Sequence, residues 1–228
     1  MIKKIFILTT IITLSLSANI KESDLINFQT KEIKECNIDT YDIYKYLIDN
    51  NYIAISNISS YAGIMTAIFE RCPKDTKGFI DKIKEDNLSY TNKKPIMIAL
   101  SASKTNGLLN DLIDIKEETF NKINKLFIEK EIYTSENISF LFAYYLKTRN
   151  NEILIKLITH YDSENISLIN QTIENLFISE MIKDKIFREK VISSAKRLEK
   201  YKDISKIERK VKDYFETKEY NNLNLKDF

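Results

Sequence analysis

The 228-residue sequence is long enough for one domain with a sizeable core, and its 43% apolar and 30% charged composition is ordinary for a folded protein. Three glycines and two prolines are too few for the tight turns of a sheet with many short strands, which excludes most all-β folds. We expect an all-α fold: stacked helical hairpins in an α-solenoid-like or irregular multi-helix array.

The N-terminus has the pattern of a secretory signal peptide. Lys3 and Lys4 precede an uncharged, mostly apolar stretch over 5–16, and Ser15 and Ser17 are the small residues that a cleavage site after Ser17 requires. The apolar stretch is shorter than the roughly 20 residues of a membrane-spanning helix, although a retained anchor is the alternative. We predict an exported protein, either periplasmic or secreted.

Export would place the two cysteines, Cys36 and Cys72, in an oxidising compartment where thiols pair. We predict a disulfide between them, and the alternative is two separately buried thiols, since Cys72 lies on an apolar helical stripe. Neither cysteine has a CxxC partner, and the single histidine, His160, is far away in sequence. We therefore expect no metal site and no cofactor.

Most of the remaining chain is predicted to be helical. Apolar residues recur at i, i+3, i+4 and i+7, which places them on one face of a helix. Pro73 should end one helix, and the break at Asn150-Asn151 predicts a helical hairpin. In chain order, the predicted helices cover 40–48, 61–72, 75–86, 94–103, 106–114, 117–130, 138–146, 153–161, 166–177, 187–198 and 204–215.

The pentapeptide Ser-Glu-Asn-Ile-Ser occurs twice, at 135–139 and 163–167. Each copy lies where a helix is expected to begin, so Ser135 and Ser163 are the predicted N-caps. The offset between the copies is typical of stacked two-helix units, and coincidence in an Ile- and Asn-rich chain explains it equally well.

The predicted helices divide the chain into three segments. Residues 1–17 are the signal peptide, 18–217 form a single all-helical domain, and 218–228 are expected to be a frayed C-terminal tail.

Residues that would identify a chemistry are scarce. The sequence has no glycine-rich phosphate loop, no nucleophile elbow and no nucleotide-binding fingerprint. Asp111 and Asp114 are one turn apart, but acids at this spacing are usually solvated or cap a helix. Glu70, beside an apolar stripe, is a weak catalytic candidate for the buried acid of a muramidase-like hydrolase.

Charge is unevenly distributed along the chain. After removal of the signal peptide the protein is formally neutral, yet residues 183–212 carry a net charge of +7. Lys183, Lys190 and Arg197 recur every seventh residue, which predicts a strip on one side of the penultimate helix that binds anionic lipid or an acidic partner. The alternative is a solvated face balanced by acids of the same fold. Nucleic acid is not an expected partner, because the cations are mostly Lys and no aromatic residues are interleaved for stacking.

Two tyrosines, Tyr46 and Tyr144, fall outside the apolar stripes of their own helices. Tyrosine suits interfaces, because it is large and carries a polar tip, so both are candidate partner contacts. A second packing contact inside a layered helical fold explains the same positions.

These patterns favour an exported, non-catalytic binding or scaffold protein of a bacterial-type cell envelope, with a protein partner in the envelope. The alternatives are an envelope hydrolase that uses Glu70 and a peripheral membrane protein that binds through its basic C-terminal helices.

Overall fold

A computed structural model describes residues 20–34, 36, 40–86, 88–103, 108, 112, 132 and 134–224. Within these residues the secondary structure consists of ten α-helices and a short 3₁₀ turn, without a strand, so the all-α prediction is confirmed. The helices are α1 (Glu22–Thr30), α2 (Thr40–Asp49), α3 (Ile58–Arg71), α4 (Pro73–Glu85), α5 (Tyr90–Ala102), α6 (Ser135–Thr148), α7 (Asn151–His160), α8 (Leu168–Lys183), α9 (Lys185–Arg197) and α10 (Tyr201–Asn224).

Several predicted features lie outside the described residues. These are the signal peptide, the helices predicted over 106–114 and 117–130, and the acids Asp111 and Asp114. Within the two predicted helices, only Leu108 and Leu112 are described, and both pack against the core. Conversely, α1 is present in the structure but was not predicted from the sequence. Its sequence is mostly polar and buries Phe28 alone, so it lacks the periodic apolar face on which helix prediction depends.

The first half of the described chain is organised around α3, which packs between α5 and α6. Side chains on every face of α3 are buried, as expected for a helix at the centre of a multi-helix array. The crossing with α6 is unusually close at Gly63, where a Cβ atom would lie 2.2 Å from the carbonyl oxygen of Phe140. Glycine is therefore required at this position by packing alone.

The second half consists of five helices, α6–α10, joined by short connections. Arg149 ends α6 in the left-handed conformation with φ 52°, and the Asn150 side chain then caps α7, which confirms the predicted hairpin. Phe142, Phe177 and Phe187 pack together where α6, α8 and α9 meet, with ring centroids about 6 Å apart.

The two copies of Ser-Glu-Asn-Ile-Ser differ in their relation to the helices. Thr134, not Ser135, caps α6, because it forms a reciprocal capping box with Asn137. In the second copy Ser167 caps α8, while Ser163 lies in the preceding turn. The predicted N-caps are therefore wrong, and the copies are not equivalent parts of a structural repeat.

The last helix, α10, continues to Asn224, beyond the predicted boundary at residue 217. Residues 218–224 contain neither Gly nor Pro, so nothing in their sequence stops the helix. In the described part of the chain, none of the helices combines the length and apolar character needed to cross a bilayer.

Candidate functional site

Cys36 and Cys72 are joined as predicted, with their sulfur atoms 2.13 Å apart and their Cα atoms 5.5 Å apart. The alternative of two separate thiols is therefore wrong. Cys72 is buried at the corner between α3 and α4, while Cys36 is exposed and follows α1 in the chain. The disulfide thus ties the segment after α1 to the centre of the fold.

A cavity of about 350 Å³ lies beside this disulfide. The volume falls within the range of small-molecule sites, and the walls are mostly apolar, as is usual for such sites. The lining residues come from the segment after α1, from the start of α2, from the end of α3 and from the first three turns of α4: Ile33, Cys36, Thr40, Tyr41, Ile68, Phe69, Cys72, Lys74, Asp75, Thr76, Gly78, Phe79 and Lys82.

One face of α4 forms a long wall of the cavity. Lys74, Gly78 and Lys82 are spaced at i, i+4 and i+8, so they follow one another along this face over about 12 Å. Pro73 suits the first position of the helix, which needs no N–H donor, and the Thr76 hydroxyl donates to the Cys72 carbonyl oxygen at 3.1 Å. The start of α4 is thus fixed directly beside the disulfide.

Tyr41 lines the cavity near Lys82. The Lys82 Nζ lies 4.7 Å from the centre of the Tyr41 ring, a cation–π contact, and the Tyr41 hydroxyl donates to the Asp86 carboxylate. Burial and the neighbouring Asp86 raise the pKa of Tyr41 well above its usual value, so the hydroxyl stays protonated at physiological pH. The ring also meets Phe79 edge to face, with the centroids 6.0 Å apart.

The Asp75 carboxylate lies close to the disulfide, with its oxygen and the two sulfurs all within 4.8 Å of one another. Such a group has the spacing of a metal site. Both sulfurs are shared in the S–S bond, however, and a metal is bound by the thiolate form of cysteine. With the disulfide formed, these residues do not fit a metal ion.

Glu70 lies apart from the cavity wall. Its half-buried carboxylate accepts a hydrogen bond from the Tyr144 hydroxyl at 2.5 Å. Burial, followed by this hydrogen bond, raises the pKa of Tyr144, so the hydroxyl remains a donor. The structure thus brings together two residues that the sequence analysis selected for unrelated reasons.

The two candidate interface tyrosines differ in exposure. Tyr144 is only 6% exposed and stacks on Phe140, which favours the packing interpretation over contact with a partner. Tyr46 is half-buried and stacks on Tyr52, with the ring centroids 6.3 Å apart. Its role in partner binding stays a prediction.

The proposed basic strip is divided between two helices. Lys183 is the last residue of α8, and the Asp184 side chain caps α9 by accepting from the Phe187 N–H at 3.0 Å. The prediction that Lys183 shares one helix with Lys190 and Arg197 is therefore wrong. The uninterrupted heptad spacing concealed this helix boundary, which a capping aspartate creates.

The three cations also differ in their surroundings. The Nζ of Lys190 lies 5.7 Å from the centre of the Tyr145 ring, and Arg197 donates to the Ser194 hydroxyl at 3.3 Å. Lys183 is exposed, as is the single histidine, His160, at the end of α7. Anion binding by these cations stays a prediction.

Several other basic residues of the C-terminal region pair with acids of the same fold. Lys206 reaches Glu164 at 2.6 Å, Lys210 pairs with Glu174, and Lys200 with Asp203 at 3.3 Å. These contacts favour the interpretation that the basic end of the chain is balanced internally.

Lys147 is a buried lysine, only 1% exposed. Its ammonium donates to the carbonyl oxygens of Asn27 at 2.9 Å and Lys31 at 2.7 Å, and thereby holds the end of α1 against α6. Burial lowers the pKa of Lys147 to about 8. The sequence does not predict the burial of Lys147, because the local spacing in α6 does not show that α1 packs over it.

The cavity was also missed, but a signal for it existed. Gly78 interrupts an otherwise regular helical pattern, and a glycine inside a helix calls for a packing or functional reason.

Comparison of the chain with protein-family models, curated proteins and solved structures finds no match.

Proposed function

We propose that the chain is an exported helical binding protein and that the cavity beside the Cys36–Cys72 disulfide is its binding site. The observation that carries this proposal is the cavity itself, about 350 Å³ in volume, with apolar walls and a few polar groups. Exposed residues such as Lys74 and Lys82 line the cavity, so it is open to solvent and its apolar wall is in contact with water. A bound ligand would remove this apolar surface from water.

Two observations support the compartment. Residues 1–17 have the pattern of a cleavable signal peptide, and disulfides persist in the oxidising space outside the cytosol. In mass spectrometry of the protein from the extracytoplasmic fraction of producing cells, we expect the chain to lack Met1–Ser17 and to contain no free thiol. A cytosolic protein with an intact N-terminus would contradict the compartment.

A thermal-shift screen of small molecules tests the binding site. A ligand that binds only the folded protein raises the Tm by mass action, so we expect at least one compound class to stabilise the wild type. The same compounds should have no effect on Gly78→Leu, whose side chain would occupy the cavity. If no compound distinguishes the two proteins, the binding proposal is wrong.

The other functions considered have less support in the contacts. Glu70 is engaged by Tyr144 and does not line the cavity, and the basic region forms ion pairs with acids of the fold. Neither observation favours a hydrolase or a membrane-binding protein. A protein partner in the envelope stays a prediction.

A further inference from the structure

We propose that the cavity binds a small, elongated molecule with an apolar body and one anionic group. The anionic group would lie beside Lys74, and the apolar body would extend along α4 across Gly78. This inference rests on the proposed function, because it requires the cavity to be a binding site.

The two glycines inside described helices have contrasting surroundings. At Gly63 an added Cβ would meet the Phe140 carbonyl oxygen at 2.2 Å, so helix packing requires glycine. At Gly78 an added Cβ would meet nothing within 4 Å. A glycine inside a helix costs stability relative to alanine, and packing within the described structure offers no compensation at Gly78.

The position of Gly78 supplies a reason for it. Gly78 lines the cavity with Lys74 one turn before it and Lys82 one turn after it. Without a side chain, the backbone of α4 becomes part of the cavity wall, and glycine is the residue used where a ligand approaches the backbone closely. The geometry therefore places the body of the ligand over Gly78.

The apolar lining residues determine the character of that body. Ile68 and Phe69 from α3 and Phe79 from α4 are core residues that also line the cavity, and Ile33 lines it from the segment after α1. A ligand in contact with these side chains gains affinity by burying apolar surface. An alkyl chain meets this requirement.

The charged residues that line the cavity favour a ligand with an anionic group. Two of the lining residues, Lys74 and Lys82, are cationic and one, Asp75, is anionic. Both lysines are exposed, but Lys82 lies over the Tyr41 ring, whereas Lys74 has no ion pair among the described contacts. Lys74 also belongs to the first turn of α4, where the helix dipole adds positive potential. An anionic group is therefore best placed beside Lys74.

Isothermal titration with decanoate and decanol tests this inference. The two probes share an alkyl chain and differ in charge. For the wild type we expect decanoate to bind about tenfold more tightly than decanol, the difference that one charge-assisted contact supplies. For Lys74→Glu this preference should disappear. Lys77→Glu is the matched control, because Lys77 is on the same helix, pairs with Asp81 and does not line the cavity.

Gly78→Leu tests the placement of the alkyl chain. It should abolish the binding of both probes, while its Tm equals or exceeds that of the wild type, since leucine is the better helix former. Retained decanoate binding by this variant would overturn the placement across Gly78.

The outcomes separate the ligand class from the binding site. If decanol and decanoate bind the wild type equally and Gly78→Leu blocks both, the anionic preference is wrong and the cavity remains the binding site. If neither probe binds the wild type, the proposed ligand class is wrong, and the thermal-shift screen decides the binding proposal separately. A loss of preference in Lys77→Glu equal to that in Lys74→Glu would contradict the role of Lys74.

Discussion

The two halves of the described chain differ in the contacts whose loss should matter most. The first half, α1–α5, has an aromatic cluster around Phe79 and adds two single contacts of large expected effect: the disulfide, and the close approach of α3 to α6 at Gly63. In α6–α10 an aromatic core is surrounded by exposed ion pairs, each of which contributes little. We infer that single substitutions have large effects in the first half and small effects at the surface of the second.

The cavity lies in the first half, beside the disulfide. The disulfide that borders it restricts the unfolded chain, and Cys36 lies in a segment that lines the cavity. The disulfide therefore contributes both to the stability of the first half and to the wall of the proposed binding site.

The largest effect is expected for removal of the disulfide. Replacing both Cys36 and Cys72 with Ser should lower the free energy of unfolding by about 3–4 kcal/mol, the chain-entropy value for this sequence separation. Urea denaturation measures the difference. A loss below about 1 kcal/mol would show that the disulfide does not hold the first half together.

Gly63→Ala should cost about 3 kcal/mol, since the added Cβ meets the backbone of α6, which can move only by separating two core helices. Gly78→Ala is the matched control. It should instead stabilise the protein by about 0.5–1 kcal/mol, because its Cβ meets no neighbour and alanine is the better helix former. Equal losses in the two variants would contradict the described helix crossing.

Lys147, which joins the two halves, should make stability depend on pH. Its pKa is lowered to about 8 in the folded protein, so between pH 8 and its unfolded value of 10.5 the unfolded chain binds more protons. Stability contributed by this residue must therefore rise with pH across that window, by a total on the order of 3 kcal/mol. Raised tyrosine pKa values act in the opposite direction near pH 10.

Urea denaturation at several pH values, compared between the wild type and Lys147→Met, isolates this term, because the tyrosines are common to both proteins. As the pH increases from 8 to 10.5, the free energy of unfolding of the wild type should increase relative to that of the variant. A constant difference across that window would show that Lys147 is not buried as a cation.

The smallest effect is expected at the exposed ion pairs of the second half. Lys206→Ala removes the contact with Glu164 and should cost at most about 1 kcal/mol, a loss that falls further at high salt. Denaturation at low and high ionic strength measures it. A salt-independent loss of several kcal/mol would contradict the claim that surface substitutions in the second half have small effects.

Sequence reasoning succeeded where a feature is recorded in local spacing. The amphipathic pattern located α3, and the hairpin between α6 and α7 followed from two asparagines. The disulfide was predictable because a chain with two cysteines allows a single pairing. Each of these inferences uses only neighbouring residues or an elementary count.

The remaining features depend on contacts between distant segments. α1 has little apolar periodicity and is held by Lys147, far away in sequence. The cavity is formed by four separate segments, and only Gly78 hints at it. The boundary at Asp184 was missed because a charge pattern continued across it. Local periodicity does not show which distant residue caps a helix or where a cavity forms between segments.

The most direct test of the central claim is an NMR titration of the ¹⁵N-labelled protein with decanoate. The account predicts that the largest chemical-shift changes occur at backbone amides along the cavity, with Gly78 and Phe79 among them, and that they are absent in Gly78→Leu. Shift changes confined to α9 and α10, or none at saturating decanoate, would contradict it.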